Sequence, residues 1–169
     1  MNYFELYELP IQLKVDAVIL KQKFYILSRK YHPDFFTNES EYEQTRVVEI
    51  SSIVNKAFKT FSNLNETIKY VLQLKGLLIE EEKYELSPMF LMEMMELSEQ
   101  AMEAKMDGEK DTIDNVLKQI ATKENEIYEP VKQIVETYTE GITTQKELLQ
   151  VKEYYYQQKY LSRILAGIK

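Results

Sequence analysis

Apolar side chains recur with helical spacing along most of the chain. One such series runs from Asp16 to Tyr31 and a second from Ser40 to Ser62. Apolar residues three to four positions apart share one face of an α-helix. Because a His-Pro-Asp tripeptide separates the two series, we predict an antiparallel helical hairpin. The facing stripes are expected to be Leu20, Phe24, Leu27 and Tyr31 on the first helix and Val47, Ile50, Val54, Ala57, Phe58 and Phe61 on the second.

Capping residues and turn formers mark where the next helices begin and end. Asn63 followed by Glu66 resembles a capping box and predicts a short helix that closes near Gly76. The following stretch, residues 77–86, shows no helical stripe and is expected to be a linker. Ser87-Pro88 then predicts a new helix, because Ser favours the N-cap and Pro the first helical position.

Two more helices are predicted towards the end of the chain. The apolar stripe that begins near Asp111 stays in phase across Pro130, so we expect one kinked helix that closes at Gly141. Thr143 or Thr144, after that glycine, opens a last helix, which runs to about Ala166. The residues expected to face inward on this last helix are Leu148, Val151, Tyr155, Ser162 and Leu165.

Composition supports an all-α fold and narrows the possible chemistry. The 169 residues include four Gly, four Pro, one His and no Cys. These are too few turn residues for a β-sandwich or barrel. The single His and the lack of Cys exclude a Cys/His zinc site and a cysteine nucleophile. We therefore predict two helical domains, an N-terminal hairpin domain in residues 1–75 and a three-helix bundle in residues 87–169, with a linker over residues 76–86.

Hydropathy and charge limit the partners that we expect. No apolar run approaches the roughly 18–20 residues that span a bilayer, and the first ten residues do not resemble a secretory leader. The sequence therefore favours a cytoplasmic protein with no membrane partner. Residues 1–75 carry a net charge of +1 and residues 76–169 a net charge of −8. Because the total of −7 repels a polyanion, we expect no nucleic-acid partner.

The first long helix is basic and ends at a stiff turn. The turn combines His32, Pro33 and Asp34; Pro fixes φ, His can donate and accept hydrogen bonds, and Asp can accept them from a partner's Arg. An ordinary solvated helix end and a surface that steers an acidic partner both fit this pattern. The cations expected to be solvated around the stripe are Lys21, Lys23, Arg29 and Lys30.

A short segment before the basic helix completes a recognisable pattern. This segment, residues 3–10, includes Leu6 and Leu9, which are expected to seat on the hairpin. Together with the basic helix, the tripeptide and the second helix, it resembles the J-domain, which activates ATP-hydrolysing chaperones of the DnaK class. The resemblance covers about residues 1–75. One departure is Phe35, because many J-domains have Lys after the Asp.

The resemblance to a J-domain implies specific contacts with a chaperone. The tripeptide would insert at the junction of the chaperone's nucleotide domain and linker and promote ATP hydrolysis there. His32 would then be a contact residue and not a general base, so the protein is expected not to be an enzyme. The residues implied to bind the chaperone are His32, Pro33, Asp34, Lys21, Lys23, Arg29 and Lys30.

Methionine is concentrated on the helix that follows the linker. A core face is expected from Phe90, Met94, Leu97, Ala101 and Ala104. A second strip beside it holds Leu91, Met95, Met102 and Met106, with an edge of Met92, Glu96, Glu99 and Glu103. The wide apolar arc fits a helix packed against two neighbours, and it also fits an exposed, deformable surface for a protein partner. A metal site of the three glutamates lacks the His that the di-iron pattern requires.

The second domain extends the resemblance to nearly the whole chain. A J-domain followed by an acidic three-helix domain with the string FLMEMMELSEQ resembles the HscB-type co-chaperones of iron–sulfur cluster assembly. In that family this helix binds the cluster scaffold protein IscU. Absence of a cysteine-rich N-terminal metal site favours a bacterial-type member. The implied scaffold contacts are Leu91, Met92, Met95, Glu96, Glu99 and Glu103, with Tyr156 in the place of a family aromatic.

The resemblance implies an adaptor without a cofactor of its own. It would bring an IscU-like scaffold to an HscA-like chaperone of the DnaK class and stimulate the ATPase of that chaperone. The alternative is a J-domain co-chaperone with a different client protein.

Overall fold

The computed structural model describes all 169 residues, and its regular elements are helices without a strand. This confirms the all-α class. The chain divides into two compact units. The first unit consists of residues 1–71 and 138–142, and the second unit consists of residues 72–137 and 143–169. The domain limits expected from the sequence remain a prediction. The helices are α1 (Tyr3–Leu6), α2 (Ala17–Lys30), α3 (Glu41–Phe61), α4 (Leu64–Leu74), α5 (Pro88–Asp107), α6 (Lys110–Tyr128), α7 (Lys132–Thr137) and α8 (Gln145–Ile168).

The helical hairpin of the first unit forms as its sequence predicts. The Asp16 side chain caps α2 by accepting hydrogen bonds from the Val18 and Ile19 amides. On the facing stripes, the ring centroids of Phe24 and Phe58 lie 4.3 Å apart. The hairpin therefore closes through apolar contacts, with polar caps at the helix ends.

The N-terminal segment buries its aromatic residues most fully. Leu6 and Leu9, which the sequence predicted to seat on the hairpin, are half-buried. Phe4 and Tyr7 are the fully buried residues of this segment, and the Tyr7 hydroxyl donates a 2.7 Å hydrogen bond to the Val54 carbonyl oxygen. Large aromatic rings remove more apolar area from water than the two leucines and fill this part of the core.

The second unit is a bundle of α5, α6 and α8, with α7 as a short extension. Ser87 caps α5 by accepting a hydrogen bond from the Phe90 amide, and Gly108 closes it with φ of 71°. A 3-10 turn, Glu129–Val131, joins α6 to α7, so the expected kink at Pro130 is present. However, α7 ends at Thr137, before the glycine at which the sequence predicted the stop.

The buried face of α8 departs from the predicted stripe in its second half. Ser162, expected to face inward, is exposed, and Leu165 is only half-buried. Leu161, Ile164 and Ile168 are buried instead. Because α8 packs against both α5 and α6, its buried arc is wide and includes the larger apolar residues. None of the helices is long and apolar enough to cross a membrane.

Candidate functional site

The turn after α2 is held by hydrogen bonds around His32. α2 ends at Lys30, and a 3-10 turn follows over Pro33–Phe36 with Pro at its first position. The Asp34 amide donates to Nδ1 of His32 at 3.3 Å, and the Phe35 amide donates to its carbonyl oxygen at 3.0 Å. Because Pro33 has no N–H and a fixed φ, it fits this position without an unsatisfied donor.

The two polar side chains of the turn point into solvent. The side chain of His32 is 53% exposed and that of Asp34 is 84% exposed. Nδ1 of His32 lies 3.7 Å from Oδ2 of Asp34. Since Nδ1 accepts the Asp34 amide, Nε2 is the ring nitrogen left for a partner. The assignment of the tripeptide to chaperone binding remains a prediction.

An open cavity of about 600 Å³ adjoins the turn. Arg29 and Asp34 both line it without forming an ion pair with each other. Phe35, which stands where many J-domains have a cation, is 73% exposed, and its ring centroid lies 5.8 Å from that of His32. The cavity thus combines a cation, an anion and exposed aromatic surface. Its lining residues are Tyr25, Ser28, Arg29, His32, Asp34 and Phe35.

Three of the four predicted basic contacts are exposed. Lys21, Arg29 and Lys30 lie on the exposed surface of α2. Lys23 is half-buried, and its Nζ donates a 3.2 Å hydrogen bond to the Glu8 carbonyl oxygen. Lys23 is therefore less solvated than the other three cations, because the Glu8 carbonyl in the loop after α1 lies within its reach.

The structure separates the two faces of α5. The whole predicted core face is buried. Leu91 is half-buried, while the neighbouring methionines and glutamates are exposed, so of the two interpretations the exposed surface describes this strip. We call this surface the methionine strip; its members are Leu91, Met92, Met95, Met102 and Met106, bordered by Glu96, Glu99 and Glu103. Their role in scaffold binding remains a prediction.

Tyr156 has a role within its own unit that the sequence did not indicate. Its ring stacks on that of Tyr84 with centroids 4.4 Å apart, and its hydroxyl donates a 2.7 Å hydrogen bond to Glu82. Lys152 adds a 3.1 Å ion pair to the same carboxylate. Residues 79–86, which we call the strap, are therefore fastened to α8. The sequence shows no periodic pattern over the strap, because its contacts are made by single side chains in an irregular segment.

The strap contacts lower the pKa of its carboxylate, that of Glu82. Partial burial acts to raise the pKa of Glu82, but hydrogen bonds from Tyr156 and Lys152 outweigh it and hold the pKa below its ordinary value. Burial, reinforced by Glu82, raises the pKa of Tyr156. Both groups thus keep the states that the hydrogen bond needs at neutral pH. The structure contains no cluster of three or more His, Cys, Asp or Glu that could hold a metal ion.

Comparison with known proteins connects both units to one family. A family model described as the HSCB C-terminal oligomerisation domain matches residues 86–169. A co-chaperone protein HscB homolog of Vibrio cholerae serotype O1 (strain M66-2) is 40% identical over 101 residues, which are 59% of each chain. Co-chaperone protein HscB of Buchnera aphidicola subsp. Acyrthosiphon pisum (strain Tuc7) is 40% identical over 82 residues, 48% of this chain and 47% of the relative.

Two solved structures extend the similarity to the whole fold. Chaperone HscB from Vibrio cholerae has a TM-score of 0.77 and 25% identity, and the match covers 99% of this chain and 95% of that one. Human co-chaperone protein HscB has a TM-score of 0.85 and 28% identity, with coverage of 99% and 80%. The family model, the relatives and the solved structures agree, and the chain belongs to the HscB-type co-chaperone family.

Proposed function

We propose that the chain is an adaptor of iron–sulfur cluster assembly. Its first unit acts as a J-domain that docks on an HscA-like chaperone of the DnaK class and stimulates its ATPase. Its second unit holds an IscU-like scaffold protein on the methionine strip. Binding both partners at once raises the local concentration of scaffold at the chaperone, and hydrolysis then traps the chaperone on the scaffold for cluster transfer.

The observation that carries the chaperone half of the proposal is the exposed tripeptide. His32 Nε2 and the Asp34 carboxylate face solvent on a turn that Pro33 stiffens, so they lose little conformational freedom on binding. Lys21, Arg29 and Lys30 lie on the same helix that leads into the turn and offer a positive surface to an acidic partner.

The scaffold half rests on the exposed methionine strip. Unbranched methionine side chains adapt to the shape of a partner, and an exposed apolar surface of this kind usually marks a protein interface. The three bordering glutamates supply charge at its rim. In the proposal, Tyr156 contributes to this surface indirectly, by holding the strap, because its ring stacks on Tyr84 and its hydroxyl binds Glu82.

Self-association through the same strip is a second candidate. The description of the matching family model assigns oligomerisation to this domain in its relatives. Sedimentation velocity over a wide concentration range, with and without Met95→Glu, distinguishes the two. A monomer that still binds the scaffold supports the adaptor, whereas a dimer that Met95→Glu dissociates supports self-association.

A pull-down with candidate partners tests the function. The intact chain is incubated with purified IscU-like scaffold and HscA-like chaperone, and capture of both is expected. Charge reversal at Glu99 and Glu103 should abolish scaffold capture and leave chaperone capture unchanged. Chaperone capture and ATPase stimulation without scaffold capture would favour a J-domain co-chaperone with a different client.

A further inference from the structure

Cationic side chains gather on one side of α8, although the second half of the chain is strongly acidic. A cavity of about 330 Å³ there is lined by Lys83 from the strap and by Lys159 and Arg163 from α8. Three tyrosine rings, one leucine and one carboxylate complete its wall. These other lining residues are Glu82, Tyr84, Leu86, Tyr156 and Tyr160.

The positive charge of this cavity is not neutralised within the chain. The three cations are exposed, and none has a carboxylate partner; Lys159 only lies over the Tyr156 ring, with Nζ 5.9 Å from the centroid. The one carboxylate of the wall, that of Glu82, is already bound by Lys152 and Tyr156. An anionic group of a partner therefore meets uncompensated cations beside flat aromatic surface.

Arg163 joins this basic cavity to the methionine strip. It also lines a second cavity, of about 320 Å³, together with Met102 and Lys105 of α5. Nζ of Lys105 donates a 2.9 Å hydrogen bond to the Gly167 carbonyl oxygen, which holds this side of α5 against the end of α8. The methionine strip thus meets the cationic side of α8 at Met102 and Arg163.

The two borders of the methionine strip carry opposite charge. With about 100° of rotation per residue, Met102 and Met95 lie between Lys105 on one side and Glu99 and Glu103 on the other. The border next to α8 is therefore basic, and the far border is acidic. An apolar strip with opposite charges on its two sides distinguishes a partner from the same partner turned around.

We propose that Lys159 and Arg163 of α8 bind acidic side chains of the scaffold that covers the methionine strip. This extension rests on the proposed function. The complementary scaffold surface has an apolar centre, acidic side chains towards α8 and basic side chains towards Glu99 and Glu103. The charges fix the orientation in which the scaffold docks, while the methionines supply adaptable apolar contact.

The test compares two charge-reversed variants of the full chain. Lys159→Glu with Arg163→Glu alters the proposed surface, and Lys118→Glu with Lys132→Glu makes the same change in net charge on exposed α6 and α7 positions. Binding of purified IscU-like scaffold is measured at low and high salt. We expect the first variant to bind about tenfold more weakly than the second at low salt, chiefly through slower association, with a smaller difference at high salt.

Affinities of the two variants within about twofold of each other would overturn the extension. If the unmodified chain binds and Leu91→Ala with Met95→Ala weakens binding, that result leaves the proposed function intact. Failure of the unmodified chain to bind scaffold overturns both. Thermal melts check the fold, and Lys83→Glu, which lies outside any helix, provides a second variant if the α8 pair unfolds.

A charge-swap experiment identifies the partner groups. Surface Asp and Glu residues of the scaffold are replaced by Lys one at a time and tested against Lys159→Glu with Arg163→Glu. Recovery of affinity with one such scaffold variant is the expected result, because the swap restores an opposite-charge pair. If no replacement restores binding to the α8 variant, direct pairing with acidic scaffold residues is wrong.

Discussion

At the scale of single residues, the three residues of the tripeptide after α2 have different roles in the turn. Pro33 holds the backbone, and Nδ1 of His32 accepts the Asp34 amide. This leaves Nε2 of the imidazole and the Asp34 carboxylate for a partner. His32 is therefore a contact residue in the proposed mechanism, and the ATP chemistry takes place in the chaperone.

Replacing His32 by Gln is expected to abolish stimulation of the chaperone's ATPase. Gln lacks the ring and places its amide differently, so the contact through Nε2 is lost. Because His32 is exposed and packs against little of the core, the thermal melt and scaffold affinity should stay unchanged. Steady-state ATP hydrolysis with saturating co-chaperone measures the effect, with Asn55→Gln on the exposed side of α3 as the control.

Full stimulation by the His32→Gln variant would contradict the J-domain role of the turn. Loss of stimulation by the Asn55 control would instead show that the assay responds to any surface change on this unit.

At the scale of helices, the sequence was most informative where periodicity and caps agree. Asp16, Ser40 and Ser87 cap the helices that their positions predicted. Periodicity predicted the buried face of α8 less well. Ser162 lies outside that face, because the two neighbouring helices, α5 and α6, determine which residues of α8 are buried. The strap could not be foreseen, because no local pattern reports that Glu82 meets α8.

The two faces of α5 should separate binding from stability. Leu91→Ala with Met95→Ala removes side chains from the exposed strip, so scaffold affinity should fall while the free energy of unfolding changes little. Met94 is 1% exposed, and Met94→Ala should lower the free energy of unfolding by roughly 2–5 kcal/mol. Urea unfolding measures the stability of both variants, and titration with scaffold measures their affinity. A large loss of stability in the strip variant would mean that these residues belong to the core.

The strap should weaken when the Tyr156 hydroxyl is removed. Tyr156→Phe leaves the ring stacked on Tyr84 but deletes the hydrogen bond to Glu82, a charged acceptor, which should cost about 1.5–3 kcal/mol at neutral pH. Tyr160→Phe on the same helix, whose hydroxyl makes no hydrogen bond in the structure, is the control. Urea unfolding at pH 7, with hydrogen exchange of residues 79–86, measures the change; equal stability of the two variants would contradict the strap.

Lowering the pH should also remove the stabilisation that the hydrogen bond between Tyr156 and Glu82 provides. Because the pKa of Glu82 is lowered in the folded chain, its contribution to stability is present above the ordinary pKa of a glutamate and is lost as the pH falls through the folded value. The difference in unfolding free energy between the unmodified chain and Tyr156→Phe should therefore shrink well below pH 4.5. A difference that stays constant down to acid unfolding would mean that the charge of Glu82 does not contribute.

At the scale of the whole molecule, the two units carry different chemistry. The first presents a positive helix and a stiff polar turn, and the second presents methionines between an acidic and a basic border. In the proposed function, one chain holds scaffold and chaperone together and acts by raising their local concentration. Resemblance and periodicity predicted both surfaces, whereas the basic border on α8 depends on the packing of α5, α8 and the strap, which no local pattern reports.

The most direct test is the ATPase rate of an HscA-like chaperone measured with scaffold alone, with the chain alone and with both. The account predicts that the two together stimulate hydrolysis by more than the product of their separate effects. It also predicts that the excess disappears when Glu99 and Glu103 are reversed in charge. Separate effects that simply multiply, or an excess that survives the charge reversal, would contradict the adaptor.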